Sequence, residues 1–473
     1  MPKNDTQNTP EKTQEKGSLF TPKRIILDIV YLFLLSFLLL MVLLAVIKKQ
    51  IPPFYGWLED TQIENTGLYI LGRLREEQIQ WHRKWRNKPL SESEIETKKT
   101  FSEQIKSLRP THAVLLEDGR SFTGILKEQD ENFYHFTYHT NSKIVSFNLK
   151  DSDIKWKKKF VYPPIELSPR DVRFLINYSE YELRYMPPYI IVSSAPFQEV
   201  DFCFIILSAL EEDFRKTFNP LFNQEQETHN LHICLLKDQK EYLSKTKGEY
   251  NLTFSAGYYS HFDDCLYAYD RTKSLEKKKL DKDVEKFINK KSEIDAILHC
   301  ISSELKKQYK DIIEKKLHRE TVTIIRHEGA HQLAFNMGVH SLKGNEHLWL
   351  IEGLAQYCET IPIGALDPKK IKLLQDNLKE KNLIDWYTLV NTKTPQGFRY
   401  YEKKAPLAYA QSWFLFRYLL QNNKAEFLYF MDFLKNLPSE NIKKSQIRIL
   451  EENCSINFVE LIKHLHKEIQ TIL

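Results

Sequence analysis

The stretch TVTIIRHEGAHQLAFNMGVHSLKGNEHLWLIEGLAQYCE, residues 321–359, decides how the rest of the chain is read. It opens apolar with helical spacing (Val322, Ile324, Ile325, Leu333, Phe335) and contains His327-Glu328-Gly329-Ala330-His331. Residues four apart share one face of a helix, so both imidazoles can reach one zinc ion at about 2 Å. Two histidines and a glutamate in an apolar helix are costly unless paired or metal-bound. Gly338 offers the helix a stop. A catalytic zinc takes three protein ligands and keeps one open position. The pattern H-E-x-x-H-x-x-G-x-x-H fails here, because Ala334 stands where Gly is needed and Met337 where His is needed. The third ligand is therefore expected from a following helix, where Glu352 lies in Trp349-Leu350-Ile351-Glu352-Gly353-Leu354-Ala355. Glu328 falls beside the open side of the ion, where it can accept a proton from water and hand it to a leaving amine.

The segments HEGAHQLAFNMG and WLIEGLAQYCE, with Tyr409-Ala410-Gln411-Ser412-Trp413 further on, resemble the bacterial peptidase-MA-like proteins, a gluzincin group. The resemblance runs from about residue 189 to the C-terminus. It implies one Zn2+ per chain on His327, His331 and Glu352, with Glu328 as base, and it implies no substrate. Gluzincins commonly hold an extended peptide on an edge strand by main-chain pairing. Cys265, Leu266, Tyr267, Ala268 and Tyr269 form the candidate strand, an internal strand with aromatic packing being the alternative. An oxyanion donor is also expected. Tyr409 is the candidate, with Tyr400 and Tyr401 as rivals. Gln356, one turn after Glu352, can hydrogen-bond a ligand.

Upstream, residues 1–24 are polar and read as a disordered cytoplasmic tail. Residues 25–47 carry only Asp28 as a charge and are long enough to span a bilayer. The run is longer than a signal peptide's and ends in Lys48-Lys49 rather than a cleavage site, so an uncleaved anchor is expected. Lys12, Lys16, Lys23 and Arg24 on one side outweigh Lys48 and Lys49 on the other. That puts the N-terminus in the cytoplasm and the catalytic domain in a periplasm or outside the cell.

Residues 51–110 carry a helical juxtamembrane pattern, with Trp81 and Trp85 four apart. The period then changes: 113–116, 121–127, 133–138, 144–149 and about 155–161 read as short strands separated by turn signals. They predict a small SH3-like or Sm-like β-barrel over 111–161. Pro163-Pro164 and Pro169 mark a linker. Residues 170–473 then divide into a sheet half (189–271), a charged helical segment (274–318), the zinc-binding helices (319–359) and a helical half (360–473). The expected class is α+β: transmembrane helix, small barrel, then a gluzincin, thermolysin-like domain with a mixed sheet.

The net charge of +5 is small and dispersed over 473 residues, so no nucleic-acid partner is expected. A peptide or polypeptide substrate, the bilayer through 25–47, and protein partners on the barrel or juxtamembrane helices are. The six cysteines contain no C-x-x-C pair, which excludes a zinc ribbon; export would allow some disulfides. No G-x-S-x-G, P-loop or Rossmann fingerprint occurs. The expected activity is a membrane-anchored zinc metallopeptidase. The alternative is a catalytically silent zinc-binding scaffold or peptide-binding protein in the envelope.

Overall fold

A computed structural model of the chain describes residue 81 and residues 84–472, apart from 108–109, 119, 131, 140–143, 163–165, 223–229, 247–255, 276, 280, 283–295, 341–347, 393–396, 437–445 and 455. The expected tail, the span at 25–47 and all of 51–80 lie outside the described residues. Among the described residues no helix is long and apolar enough to cross a membrane. The residues Arg75–Leu473 form one compact unit.

Helix α1 (Glu92–Ser107) leads into five antiparallel strands, β1 (His112–Leu116), β2 (Ser121–Asp130), β3 (Phe133–His139), β4 (Ile144–Lys150) and β5 (Ile154–Lys159). Their order is β4-β3-β2-β1-β5. The strands fall where the turn signals placed them, but they form an open sheet rather than the expected barrel. The reason lies in the alternation of β1, whose successive side chains point to opposite faces. Val114 and Leu116 join Phe136 and Leu149 in a small core. Ala113 faces the other way, into the main core with Phe160. The second face is covered by the main core, so the sheet packs on both sides as an open layer.

What covers it comes next. Pro169 does not mark a linker; it opens α2 (Pro169–Asn177), capped by Ser168 with Asp171 returning the bond, the arrangement in which proline is best tolerated. Strands β6 (Glu182–Met186) and β7 (Tyr189–Ser193) pair antiparallel, and α3 (Phe197–Phe218) follows. Phe204 of α3 meets Phe160 at 5.3 Å between ring centres. Thr123 of β2 donates its amide and hydroxyl to the buried Asp201 of α3 at 2.8 and 2.6 Å.

The second sheet continues with β8 (Leu231–Leu236), α4 (Gln239–Lys245), β9 (Gly257–Ser260) and β10 (Cys265–Tyr269). Its order is β6-β7-β8-β10-β9. Cys265, Leu266, Tyr267, Ala268 and Tyr269 therefore do not form the edge. They are parallel to β8 on one side and antiparallel to β9 on the other, and all five are buried. Their side chains are apolar on both faces, which suits an internal strand. The edge is β9.

The helix that carries the histidine motif is longer than expected: α5 runs unbroken over Ala296–Asn336, 41 residues, so residues 296–318 of the charged segment share one rod with the motif. The helical half then comprises α6 (Leu348–Cys358), α7 (Pro368–Lys379), α8 (Trp386–Asn391), α9 (Ala405–Asn422), α10 (Lys424–Asn436), α11 (Gln446–Cys454) and α12 (Phe458–Thr471). Helix α6 is apolar nearly all round because it is buried nearly all round. It crosses α9 at Gly353, where a β-carbon would stand 2.8 Å from the Ser412 carbonyl oxygen. Gln411 clamps the turn before α8, accepting from the Ile384 amide and donating to the Ile384 carbonyl, both at 2.9 Å. Cys203, Cys234, Cys265 and Cys358 are buried free thiols, so the disulfides that export would allow are not made by these four.

Candidate metal centre

Three side chains from two helices converge where α5 meets α6. His331 Nε2 lies 3.2 Å from His327 Nε2. Glu352 Oε2 lies 3.4 Å from His327 Nε2 and 3.7 Å from His331 Nε2. Two imidazole nitrogens gain little from facing each other, but both can face a cation. Four-coordinate zinc with bonds of about 2.0–2.2 Å would separate its ligand atoms by roughly 3.3 Å, close to all three distances. His327, His331 and Glu352 thus form a group that could hold a metal ion.

Charge supports the same conclusion. Burial opposes a proton on His327, yet hydrogen bonds to Glu352 and Glu359, with the Glu328 carboxylate nearby, outweigh it and raise its pKa well above the usual imidazole value. Burial likewise works against the charge on Glu352, but bonds to the two histidines bring its carboxyl below the usual range. Glu328, Glu352 and Glu359 surround the histidines, and Lys370 brings an ammonium to Glu359. A divalent cation would offset what remains.

The supports are unequal. His327 Nδ1 donates to Glu359 Oε1 at 2.9 Å, and Glu359 Oε2 is held by Lys370 Nζ at 2.6 Å. Lys370 in turn lies 5.4 Å above the Trp413 ring. A carboxylate on the far nitrogen fixes the tautomer that leaves Nε2 free for a metal. His331 Nδ1 is buried and has no hydrogen-bond partner among the described residues. Arg326, fully buried next to His327, donates to the Cys358 and Thr360 carbonyls at 2.9 and 2.8 Å, locking the end of α6 against α5.

Glu328 is carried beside the group, its Oε2 accepting the Tyr259 amide of β9 at 2.9 Å. The general-base candidate and the sheet edge therefore touch. Gly257 makes this approach possible, since a β-carbon there would stand 2.6 Å from Ile324 Cγ2 and 3.2 Å from Glu328 Cγ.

Other expected residues stand elsewhere. Gln356 Nε2 is 3.4 Å from His327 Nδ1, but that nitrogen's proton goes to the closer Glu359, so Gln356 is a neighbour rather than the ligand's hydrogen-bond acceptor. Tyr409 is half-buried on α9, its ring edge-on to Phe398 at 5.1 Å between centres; the contact is one of packing. Tyr401 shares a 2.5 Å hydrogen bond with Thr392. The Tyr400 side chain lies outside the described residues. Cys265 to Tyr269 lie one strand behind β9 and pack on α5, Leu266 coming 4.0 Å from where a β-carbon on Gly329 would stand. Glu359 is the residue that sequence reasoning missed. The signal was its spacing: Glu352, Gln356 and Glu359 follow at four and seven positions, one helical stripe.

A family model described as a protein of unknown function (DUF1570) matches residues 321–439. The match takes in His327, Glu328, His331, Glu352, Glu359, Lys370 and Trp413. No curated protein matches the chain.

Proposed function

We propose that this chain is a zinc metallopeptidase of gluzincin type, anchored by residues 25–47 with its catalytic domain in a periplasm or outside the cell. The observation that carries the reading is the convergence of His327, His331 and Glu352 within 3.2–3.7 Å, with Glu328 placed between that group and a sheet edge. Zinc bound there would supply Lewis acidity toward water and a carbonyl oxygen. The chain's own residues do the rest. Glu359 holds the His327 proton on Nδ1, Arg326 fixes α6 to α5, and Glu328 accepts a proton and later returns it to the leaving nitrogen. The substrate is an extended peptide laid along β9, the edge that takes over the role expected of 265–269. Tyr409 is kept as the candidate oxyanion donor.

The test is zinc content and hydrolysis of fluorescein-labelled casein by the full chain. The expected result is about one zinc per chain, lost in His331→Ala and in Glu352→Ala but kept in Glu328→Gln, which does not hydrolyse. A wild type that binds zinc and never cleaves casein or a mixed peptide library would favour the silent scaffold instead.

A further inference from the structure

The turn between β9 and β10 is held far more firmly than a surface turn needs to be. Asp264, at its end, has a positive φ of 51° and is 4% exposed. An aspartate tolerates that conformation better than most residues. Its carboxylate is a meeting point: Tyr259 donates its hydroxyl at 2.6 Å, Asn336 its amide at 2.9 Å, and Arg170 of α2 its guanidinium. A buried carboxylate with this many donors is expensive to break, because removing it would strand Arg170. From the other side, Arg86 donates both terminal nitrogens to the Phe262 and Asp263 carbonyls. The segment that carries Arg86 is itself gripped by Arg173, which donates to the Arg86 carbonyl at 2.6 Å and to Glu94 at 2.9 Å.

Tyr259 joins this cluster to the candidate metal centre. Its hydroxyl goes to Asp264 and its backbone amide to Glu328 Oε2. Asn336 and Glu328 lie eight positions apart on α5, about 12 Å along its axis. The edge strand is thus tied to the metal-bearing helix at two heights.

We infer that Asp264 and Arg86 are positioning residues: by fixing the 261–264 turn they set where the Tyr259 amide, and with it the sheet edge, stands against Glu328. The inference deepens the peptidase reading and rests on it for its catalytic consequence, though not for its structural one. A peptide laid on β9 would inherit its register relative to Glu328 from the 261–264 turn. The N-terminal segment carrying Arg86 would inherit the same control.

The test uses the full chain loaded with Zn2+, with Asp264→Asn, Arg86→Ala and Arg86→Lys. Hydrogen exchange at the Tyr259 amide is read by mass spectrometry, alongside zinc content and casein hydrolysis. In Asp264→Asn and Arg86→Ala the amide is expected to exchange about tenfold faster or more. Zinc stays at the wild-type level, and kcat falls by about 10–100-fold with KM little changed. Arg86→Lys restores part of both. An unchanged Tyr259 exchange rate in Asp264→Asn and Arg86→Ala overturns the inference. So does loss of zinc in step with exchange, which would mark the turn as general scaffolding. Should wild-type casein hydrolysis be absent while exchange responds as expected, the peptidase reading fails and the positioning of Tyr259 stands.

Discussion

Glu359 Oε1 sits 2.9 Å from His327 Nδ1, and Lys370 Nζ sits 2.6 Å from the other oxygen of the same carboxylate. Helix α7 thus fixes the ring orientation of a candidate metal ligand on α5 through one acidic residue just past the end of α6. Glu359→Gln should therefore weaken zinc affinity by about 10–100-fold without unfolding the chain. Chelator competition measures this directly. Lys370→Met should move affinity in the same direction by less, because it removes a brace rather than the acceptor.

Metal removal should destabilise the fold. The carboxylates of Glu328, Glu352 and Glu359 stand around His327, and a cation that binds only the folded chain adds RT ln(1 + [L]/Kd) to its stability. A melt of the zinc-loaded chain with and without chelator should show a clear drop in Tm. Glu352→Gln, which takes away one ligand and one negative charge, should shrink that drop. Equal Tm values for loaded and stripped wild type would count against a metal held by these residues.

The crossing of α6 and α9 should be intolerant of one methyl group. At Gly353 a β-carbon would meet the Ser412 backbone oxygen at 2.8 Å and Phe416 Cβ at 3.0 Å, neither of them the movable end of a side chain. Gly353→Ala should cost about 1–3 kcal/mol, read by denaturant unfolding. Gly329→Ala is the instructive contrast. There the nearest atoms are the Leu207 and Leu210 methyls at 2.5 and 3.0 Å, which can rotate away, so the loss should be smaller.

Asp201 gives the seam between the small sheet and α3 a dependence on pH. Burial raises its pKa from 3.8 to about 8, against the lowering effect of the Thr123 bonds and of Arg184. The folded chain therefore keeps a proton that the unfolded chain has already released. The stabilisation from this group is complete below the unfolded value and drains away as pH rises through the folded one. Between about pH 5 and about pH 9 the wild type should lose stability that Asp201→Asn retains. Parallel melts across that window check it; a difference between the two proteins that does not vary with pH would sink the assignment.

What the sequence disclosed followed from periodicity. His327 and His331 are one helical turn apart in an apolar run, so spacing groups those two; Glu352 was added by the expectation of a third ligand on a following helix and by the family resemblance. The strands of the small sheet were legible from alternation and turn residues for the same reason. Its open form was not, and neither was α3 packing on Phe160 from outside the segment. The edge of the second sheet was misplaced between neighbours: β9 is four residues long and β10 five, and which of two short strands lies outermost is decided by pairing partners far away in sequence. Glu359 was visible as spacing but was given no role. Its meaning depends on Lys370, which reaches it from α7 and is itself stacked over Trp413 of α9.

The buried thiols carry one more consequence. Burial pushes the Cys203 pKa up to about 12 and raises those of Cys234 and Cys358 as well, so as folded these sulfurs are poor nucleophiles. An alkylating reagent can reach them only when the surrounding structure opens. Cys234 and Cys265 lie in the second sheet, Cys203 on the long helix beneath the small one, and Cys358 at the end of α6 beside the metal ligands. The chain thus comes with reporters already installed in separate neighbourhoods. Mass-resolved labelling over time would time the breathing of each neighbourhood with no probe added.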